Sequence, residues 1–300
     1  MGIMRIGFVE YGVADLEQAA RFYGPVLGLI QTARDADRLY YKCWDEYDHH
    51  SVVLNRSQRS GLVKVGWKVG DEGDLDILAR AIEDYGIATM PVARGAEPGL
   101  GKAISFIAPT GHTMWLYHEM AQVGKAMKPP DIVPTHLVGI GPLNLDHVVL
   151  AAEDLDEAVR FYTSVLGFHI SEQVLDPQGH SVFSFLFIGN KPHDLALAKG
   201  PGGKFHHVAF YVEDWESVQR AYKLLMAGGH PIAVEPSRHG ITRGSTTYFH
   251  DPAGNRLETF AGGYLTYPDF PTVTWKSEQL QQALFNRGGP ANVQHFIEWI

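Results

Sequence analysis

Residues 15–28 read DLEQAARFYGPVLG and residues 154–167 read DLDEAVRFYTSVLG, identical at nine of fourteen positions and 139 residues apart. Further along each half, FIAPTGHTMWLY (106–117) lines up with FHDPAGNRLETF (249–260) at a spacing of 143, with the Pro and Gly of the turn coinciding. Self-similarity at a fixed spacing restricts the chain to folds built from copies of one unit. The halves meet near MKPPDIVPTHLVG, a proline-bearing linker at 127–139. Each half repeats again. LDHVVLAAEDLDEAVRFY (145–162) aligns with FHHVAFYVEDWESVQRAY (205–222) at a spacing of 60, matching Asp154 with Asp214, Arg160 with Arg220 and Tyr162 with Tyr222. A weaker match relates GFVEYGVADLEQAARFY to VGWKVGDEGDLDILARAI in the first half. Four modules follow, beginning near residues 3, 62, 143 and 203.

Each module opens with a short alternating apolar stretch and runs into a helical pattern. In the third, Asp154 predicts an N-cap and Glu157 completes a capping box. Ala158, Phe161, Tyr162 and Val165 then share one face, and Gly167 predicts the C-cap. Short β-rich runs follow, such as SVFSFLFIG (181–189) and STTYFH (245–250). The unit reads βαβββ, giving an α+β class with helices on one face of mostly antiparallel sheets. The expected organisation is a first domain over 1–135 without a metal site, a catalytic domain over 140–270, and a tail over 271–300. The tail carries a helix in KSEQLQQALF (276–285) and a final apolar run, FIEWI, and covers the pocket or a subunit contact.

The length of 300 residues suits about two domains. An apolar fraction of 45% argues against a long disordered chain. The net charge of −9 comes with no concentrated basic stretch, so neither nucleic acid nor an anionic membrane is an expected partner. Cys43 is the single cysteine, which forbids an intrachain disulfide and reads as intracellular. The N-terminus has no signal-peptide pattern and no run of about 18 apolar residues occurs. The expected location is the cytoplasm.

Comparison of equivalent positions locates the chemistry. The spacing of 60 places His147 over His207. Side chains alternate along a strand. Val208, Phe210 and Val212 suit the face under the helices, so His207 points to the other face, as does His147; this parity selects His207 over its neighbour His206. Glu258 follows the turn DPAGN (251–255) and is bracketed by Leu257, Thr259 and Phe260. A carboxylate in such a setting needs a partner or a metal. A single strand histidine more often completes a core or an edge. Two in register across a repeat, with a carboxylate in the equivalent last strand, form the ligand set of a non-haem Fe(II) oxygenase. The same spacings place Phe8, Lys64 and Trp115 in the corresponding positions of the first half, which predicts a scaffold without a metal. His49, His50, His118 and Glu119, lacking repeat partners, read as surface or loop groups.

These modules resemble the vicinal oxygen chelate, or glyoxalase-like, superfamily, and the full length resembles its type I extradiol ring-cleaving dioxygenases, most of all the catechol 2,3-dioxygenases. The resemblance rests on LDHVVL (145–150), HDLALA (193–198), FHHVAF (205–210) and RHGITRGSTTYFHDPAGNRLE (238–258). The last carries His239, Tyr248, the Asp-Pro-Ala-Gly turn and Glu258, with Thr247 departing from an aliphatic preference. The resemblance implies that His147, His207 and Glu258 hold Fe(II), with Mn(II) as the alternative. It implies that His193, His239 and Tyr248 are catalytic and touch the substrate, and that Phe185, Ile241 and Thr242 contact its ring. It further implies cleavage of catechol or a substituted catechol by dioxygen, beside the two hydroxyls, to a yellow 2-hydroxymuconate semialdehyde. A homotetramer is the implied assembly. Two other readings use the same scaffold: a glyoxalase-like metal-dependent isomerase or transferase, and a metal-free ligand-binding protein. The length and the set His193, His239 and Tyr248 speak against the former, and three ligands in one half speak against the latter.

Overall fold

The computed structural model describes residues 2–124, 137–284 and 298–300. Most of the linker, residues 127–136, lies outside them, as do Phe285 at the end of the expected tail helix and the first two residues of FIEWI.

Four βαβββ modules are present, opening with strands Ile3–Val13, Gly61–Val69, Asn144–Ala152 and Phe205–Tyr211. The helices Leu16–Arg21, Leu155–Ser164 and Trp215–Ala227 each start at the aspartate of the repeat: Asp15, Asp154 and Asp214 accept backbone N–H bonds from the first turn. Only half of the expected capping box at Asp154 forms. Glu157 donates its N–H to Asp154, but its carboxylate accepts from Tyr85 Oη at 2.6 Å and pairs with Arg160. The helix ends at Ser164 with Val165 as its cap, and Gly167 (φ 77°) reverses the chain two residues later.

Modules one and two build one sheet, modules three and four another. The first sheet runs Ile30–Arg34, Arg38–Lys42, Val52–Arg56, Ile3–Val13, Gly61–Val69, Thr113–Tyr117, Ala103–Ile107, Met90–Val92. The second keeps the same order: His169–Leu175, Ser181–Phe187, Leu195–Lys199, Asn144–Ala152, Phe205–Tyr211, Arg256–Gly262, Gly244–His250, Ile232–Arg238. It adds the tail strand Val273–Lys276 outside His169–Leu175. Neighbours are mostly antiparallel, and the opening strand of each module pairs parallel with the module's last.

The register fixes the repeat alignment residue by residue. His147 pairs with Ala209, which pairs with Glu258. In the first sheet Phe8 pairs with Gly66, which pairs with Trp115. Each of the four opening strands holds one extra residue just before the compared position: Gly7, Val63, Asp146 and His206 are skipped in the pairing. Such β-bulges turn two consecutive side chains toward one face. Thus Leu145 and Val148 both join the core under the helices, as do Phe205 and Val208, while Asp146–His147 and His206–His207 face the other way. Strict alternation places Phe205 beside His207 and His206 under the helices; the bulge reverses both.

One apolar core runs through both halves on the helix side. Trp67 packs edge-on against Phe168, Phe106 against Phe161, and Phe22 beside Phe249. The DPAGN turn is tied to the other half: Asp251 accepts from Tyr23 Oη at 2.8 Å and Asn255 Oδ1 accepts from Gly61 N–H at 2.8 Å. On its outer face each sheet carries a second apolar cluster, around Val149, Phe185 and Ile241 in one and Phe8, Tyr40 and Tyr117 in the other.

Candidate active site and metal centre

Three adjacent strands bring His147, His207 and Glu258 side by side, all buried, with one donor atom of each within 4.8 Å of the others. His147 Nε2 and His207 Nε2 lie 3.1 and 2.8 Å from Glu258 Oε2, and 3.3 Å from each other. Among the described residues this is the only group of three metal-ligating side chains so placed. The bulge residues complete it. Asp146 Oδ2 accepts from His147 Nδ1 at 2.6 Å, and His206 Nδ1 faces His207 Nδ1 at 2.6 Å. Both ligand rings therefore spend Nδ1 on a neighbour and turn Nε2 inward. Lys191 bridges Asp146 and Asp194 at 3.3 Å each. Thr246 donates to the second oxygen of Glu258.

The other expected residues surround this centre. His193 precedes strand Leu195–Lys199, its ring centroid 3.9 Å from that of His147. Tyr248 lies opposite Glu258 in the sheet and places its hydroxyl 2.9 Å from His239 Nε2. His239 Nδ1 donates to the carbonyl of Leu284, at the end of the described tail helix Leu280–Leu284. Phe185, Ile241 and Thr242 line the same pocket with Val149, Phe183, Ala196 and Leu284.

The comparisons agree with this geometry. Residues 144–259 match the model of the Glyoxalase/Bleomycin resistance protein/Dioxygenase superfamily, and residues 64–121 match that of the Catechol 2,3-dioxygenase-like N-terminal domain. A metapyrocatechase of Pseudomonas sp. (strain CF600) is 39% identical over 95% of this chain and 94% of its own. The chain belongs to the extradiol ring-cleaving dioxygenases. Among solved structures, the 2,3-dioxygenase LapB of Pseudomonas sp. KL28 superposes with a TM-score of 0.89 at 37% identity, covering 93% of this chain and 99% of that one. Homoprotocatechuate 2,3-dioxygenase of Brevibacterium fuscum, in complex with 3,4-dihydroxyphenylacetate, gives 0.91 at 27% identity, covering 99% and 92%. A manganese-dependent 2,3-dihydroxybiphenyl 1,2-dioxygenase of Geobacillus genomosp. 3 is 28% identical over 94% of this chain and 93% of its own.

As an extradiol dioxygenase the chain cleaves catechols in the meta mode and depends on a metal. The donor set fits a divalent cation of the iron–manganese type: two imidazoles with inward Nε2 and one carboxylate. Burial raises the pKa of Glu258, but His207, His147 and His239 outweigh it and hold the group well below the usual carboxylate range. Burial lowers His147, yet Asp146 and Glu258 raise it above the ordinary imidazole value. Burial lowers His207 to about 4 and, with the neighbouring His147, drives His193 well down. Burial and Glu258 push the Tyr248 phenol well up, so it stays a proton donor.

Glu172 supports the pocket from behind Thr242 and is not flagged by the sequence pattern. Its buried carboxylate accepts from the Thr242 N–H and Tyr264 Oη, both at 2.7 Å, and from Trp275 Nε1 at 2.6 Å. The loop it grips holds Thr242 and Arg243 at φ 57°, the left-handed region that non-glycine residues pay about 1–3 kcal/mol to occupy when strained. The tail, expected either over the pocket or at a contact, supplies a strand at the sheet edge and Leu284 in the pocket wall. His50 departs from expectation: it lies in a loop, but fully buried, and at a spacing of 143 it is the counterpart of His193. His118 and Glu119 are half-buried and exposed.

Proposed function

We propose that this chain is an Fe(II)-dependent catechol 2,3-dioxygenase in which His147, His207 and Glu258 hold the metal. When bound, Fe(II) supplies Lewis acidity toward the catechol hydroxyls and an electron path to dioxygen. His193 serves as the acid–base group. It is kept neutral by burial, and its Nδ1 has no hydrogen-bond partner, so it can take a proton and return it to the product. Tyr248 donates from its phenol, and His239, anchored at Nδ1 by Leu284, turns Nε2 toward the substrate oxygens. Phe185, Ile241 and Thr242 enclose the ring. Residues 1–135 form the domain without the catalytic metal and 140–270 the catalytic domain, working as a cytoplasmic homotetramer.

The observation that carries this reading is the buried convergence of the triad under a pocket that also holds His193, His239 and Tyr248. The rest of the described lining is His206, Val149, Phe183, Phe185, Ala196, Ile241, Thr242, Phe260 and Leu284, with no lysine or arginine. Burying an unpaired substrate carboxylate there is costly. The favoured substrates are therefore catechol and its neutral methyl or chloro derivatives, ahead of 3,4-dihydroxyphenylacetate. Anaerobic loading with Fe(II) or Mn(II), followed by oxygen uptake across that panel, tests the reading. One dioxygen per ring and a yellow product are expected. Colourless cis,cis-muconate would overturn it, and higher activity with Mn(II) would reassign the metal.

A further inference from the structure

The first sheet holds a cation of its own. Lys64 is the counterpart of His207, and its buried ammonium extends toward the counterparts of the other two ligands, 3.8 Å from the Trp115 ring centroid and 6.0 Å from that of Phe8. It lies 2.8 Å from Glu10 Oε2 and pairs with Glu97 through Oε1. Glu97 Oε2 is 3.2 Å from Nε2 of His50, the counterpart of His193. Glu10, His50 and Glu97 are all 1% exposed or less. Arg38, partly exposed, reaches Glu97 only at 3.8 Å. Burial raises the pKa of Glu97, but the His50 hydrogen bond and the Lys64 charge bring it to about 2.

Two buried carboxylates thus flank one positive charge and an imidazole backs the far oxygen of one of them, with two aromatic faces where the other sheet has ligands. An ammonium has no lone pair to give and cannot be a ligand, but it satisfies carboxylates as a metal does. Taking it away leaves carboxylates that must find another cation or lose stability. Carboxylate and imidazole together suit a divalent ion of the manganese–iron–cobalt type.

We propose that Lys64 is a resident cation standing in the first sheet for the metal of the second, and that Glu10, His50 and Glu97 form a second divalent-cation site that its ammonium keeps closed. The analogy rests on the metal-centre reading above, and the experiment separates the two. Full-length wild type, Lys64→Ala, Lys64→Ala/Glu97→Gln and Lys64→Ala/His147→Ala are loaded with Mn(II), freed of loose metal and analysed for bound ions. One ion per chain is expected in wild type and about two in Lys64→Ala. The count returns to one in both double variants, and Lys64→Ala still cleaves catechol. If Lys64→Ala unfolds in chelator, thermal melts with and without Mn(II) decide: folding restored by the ion supports the second site. A folded Lys64→Ala with one ion, or a variant that the ion cannot restore, overturns the proposal. A second ion that survives Glu97→Gln overturns it as well. Loss of the ion from wild type on His147→Ala reports on the catalytic centre alone.

Discussion

Asp146 decides which nitrogen of His147 faces the centre. Its carboxylate takes the Nδ1 proton at 2.6 Å and is itself held by Lys191. Replacing Asp146 with Asn leaves the shape but weakens that orientation, and partners of this kind are worth roughly 10–100-fold in metal affinity. Chelator competition on Asp146→Asn is expected to show a loss in that range, with the circular dichroism unchanged. His193 behaves differently, because it lies against the His147 ring in the same pocket but is not among the three converging ligand side chains. His193→Phe is expected to keep the metal and catechol binding while slowing the oxygen-dependent steps at least about tenfold, since a positioned acid–base group contributes about 10²–10⁴. Rapid-mixing traces of the anaerobic catechol complex against oxygen check this; metal loss would make His193 a ligand. The triad was legible because a duplicated histidine and a terminal carboxylate survive comparison of repeats. Asp146 and His206 were not, because each is the additional residue of a bulge, and a period of two gives such a residue no face.

At the scale of elements, the four βαβββ modules were legible because the first, third and fourth helices keep their capping aspartate, and the second, Gly73–Asp84, which starts at Glu72 without a side-chain cap, still keeps an apolar face. The first module hides a detail: Pro25 follows its helix, and the turn Phe22–Val26 widens to a π-helix. What the sequence could not supply is the tail's position, because it has no repeat partner to be compared with. The strand Val273–Lys276 and helix Leu280–Leu284 both bear on the loop that carries Ile241 and Thr242. Glu172 grips that loop from one side, and the Ala283 carbonyl accepts from the Ile241 N–H at 2.6 Å from the other. Glu172→Gln keeps volume but offers an amide N–H where an N–H or O–H donor already points. The loop can then relax away from its left-handed conformation. Steady-state kinetics is expected to give a catechol KM raised about tenfold, the equivalent of 1.4 kcal/mol, with kcat within about twofold. An equal fall in kcat would place Glu172 in the chemistry instead.

At the scale of the molecule, the halves are sealed by a shared core and by the turn at 108–112, where the Gly203 N–H donates to the Thr110 carbonyl at 2.8 Å. His112 sits in this seam, and burial lowers its pKa to about 4. The unfolded chain, near 6.5, binds the proton more readily, so this contribution is complete above about pH 6.5 and is lost as pH falls toward 4. One such group gives a slope of about 1.4 kcal/mol per pH unit in that window. Urea unfolding of the metal-free protein at pH 7 and pH 5 is expected to show a shallower loss for His112→Gln than for wild type, by about that slope; equal slopes would mean that another group carries the effect. The likeness of the halves stops at the sheet edges. The strand Val273–Lys276 shields the rim beside His169–Leu175, and the same segment leads into the helix whose Leu284 walls the pocket. An uncovered strand rim is a template for pairing with other chains. A chain shortened before residue 273 would lose its catalytic wall and its protection from aggregation in one event, so that for this enzyme colloidal behaviour and turnover are secured by the same few residues.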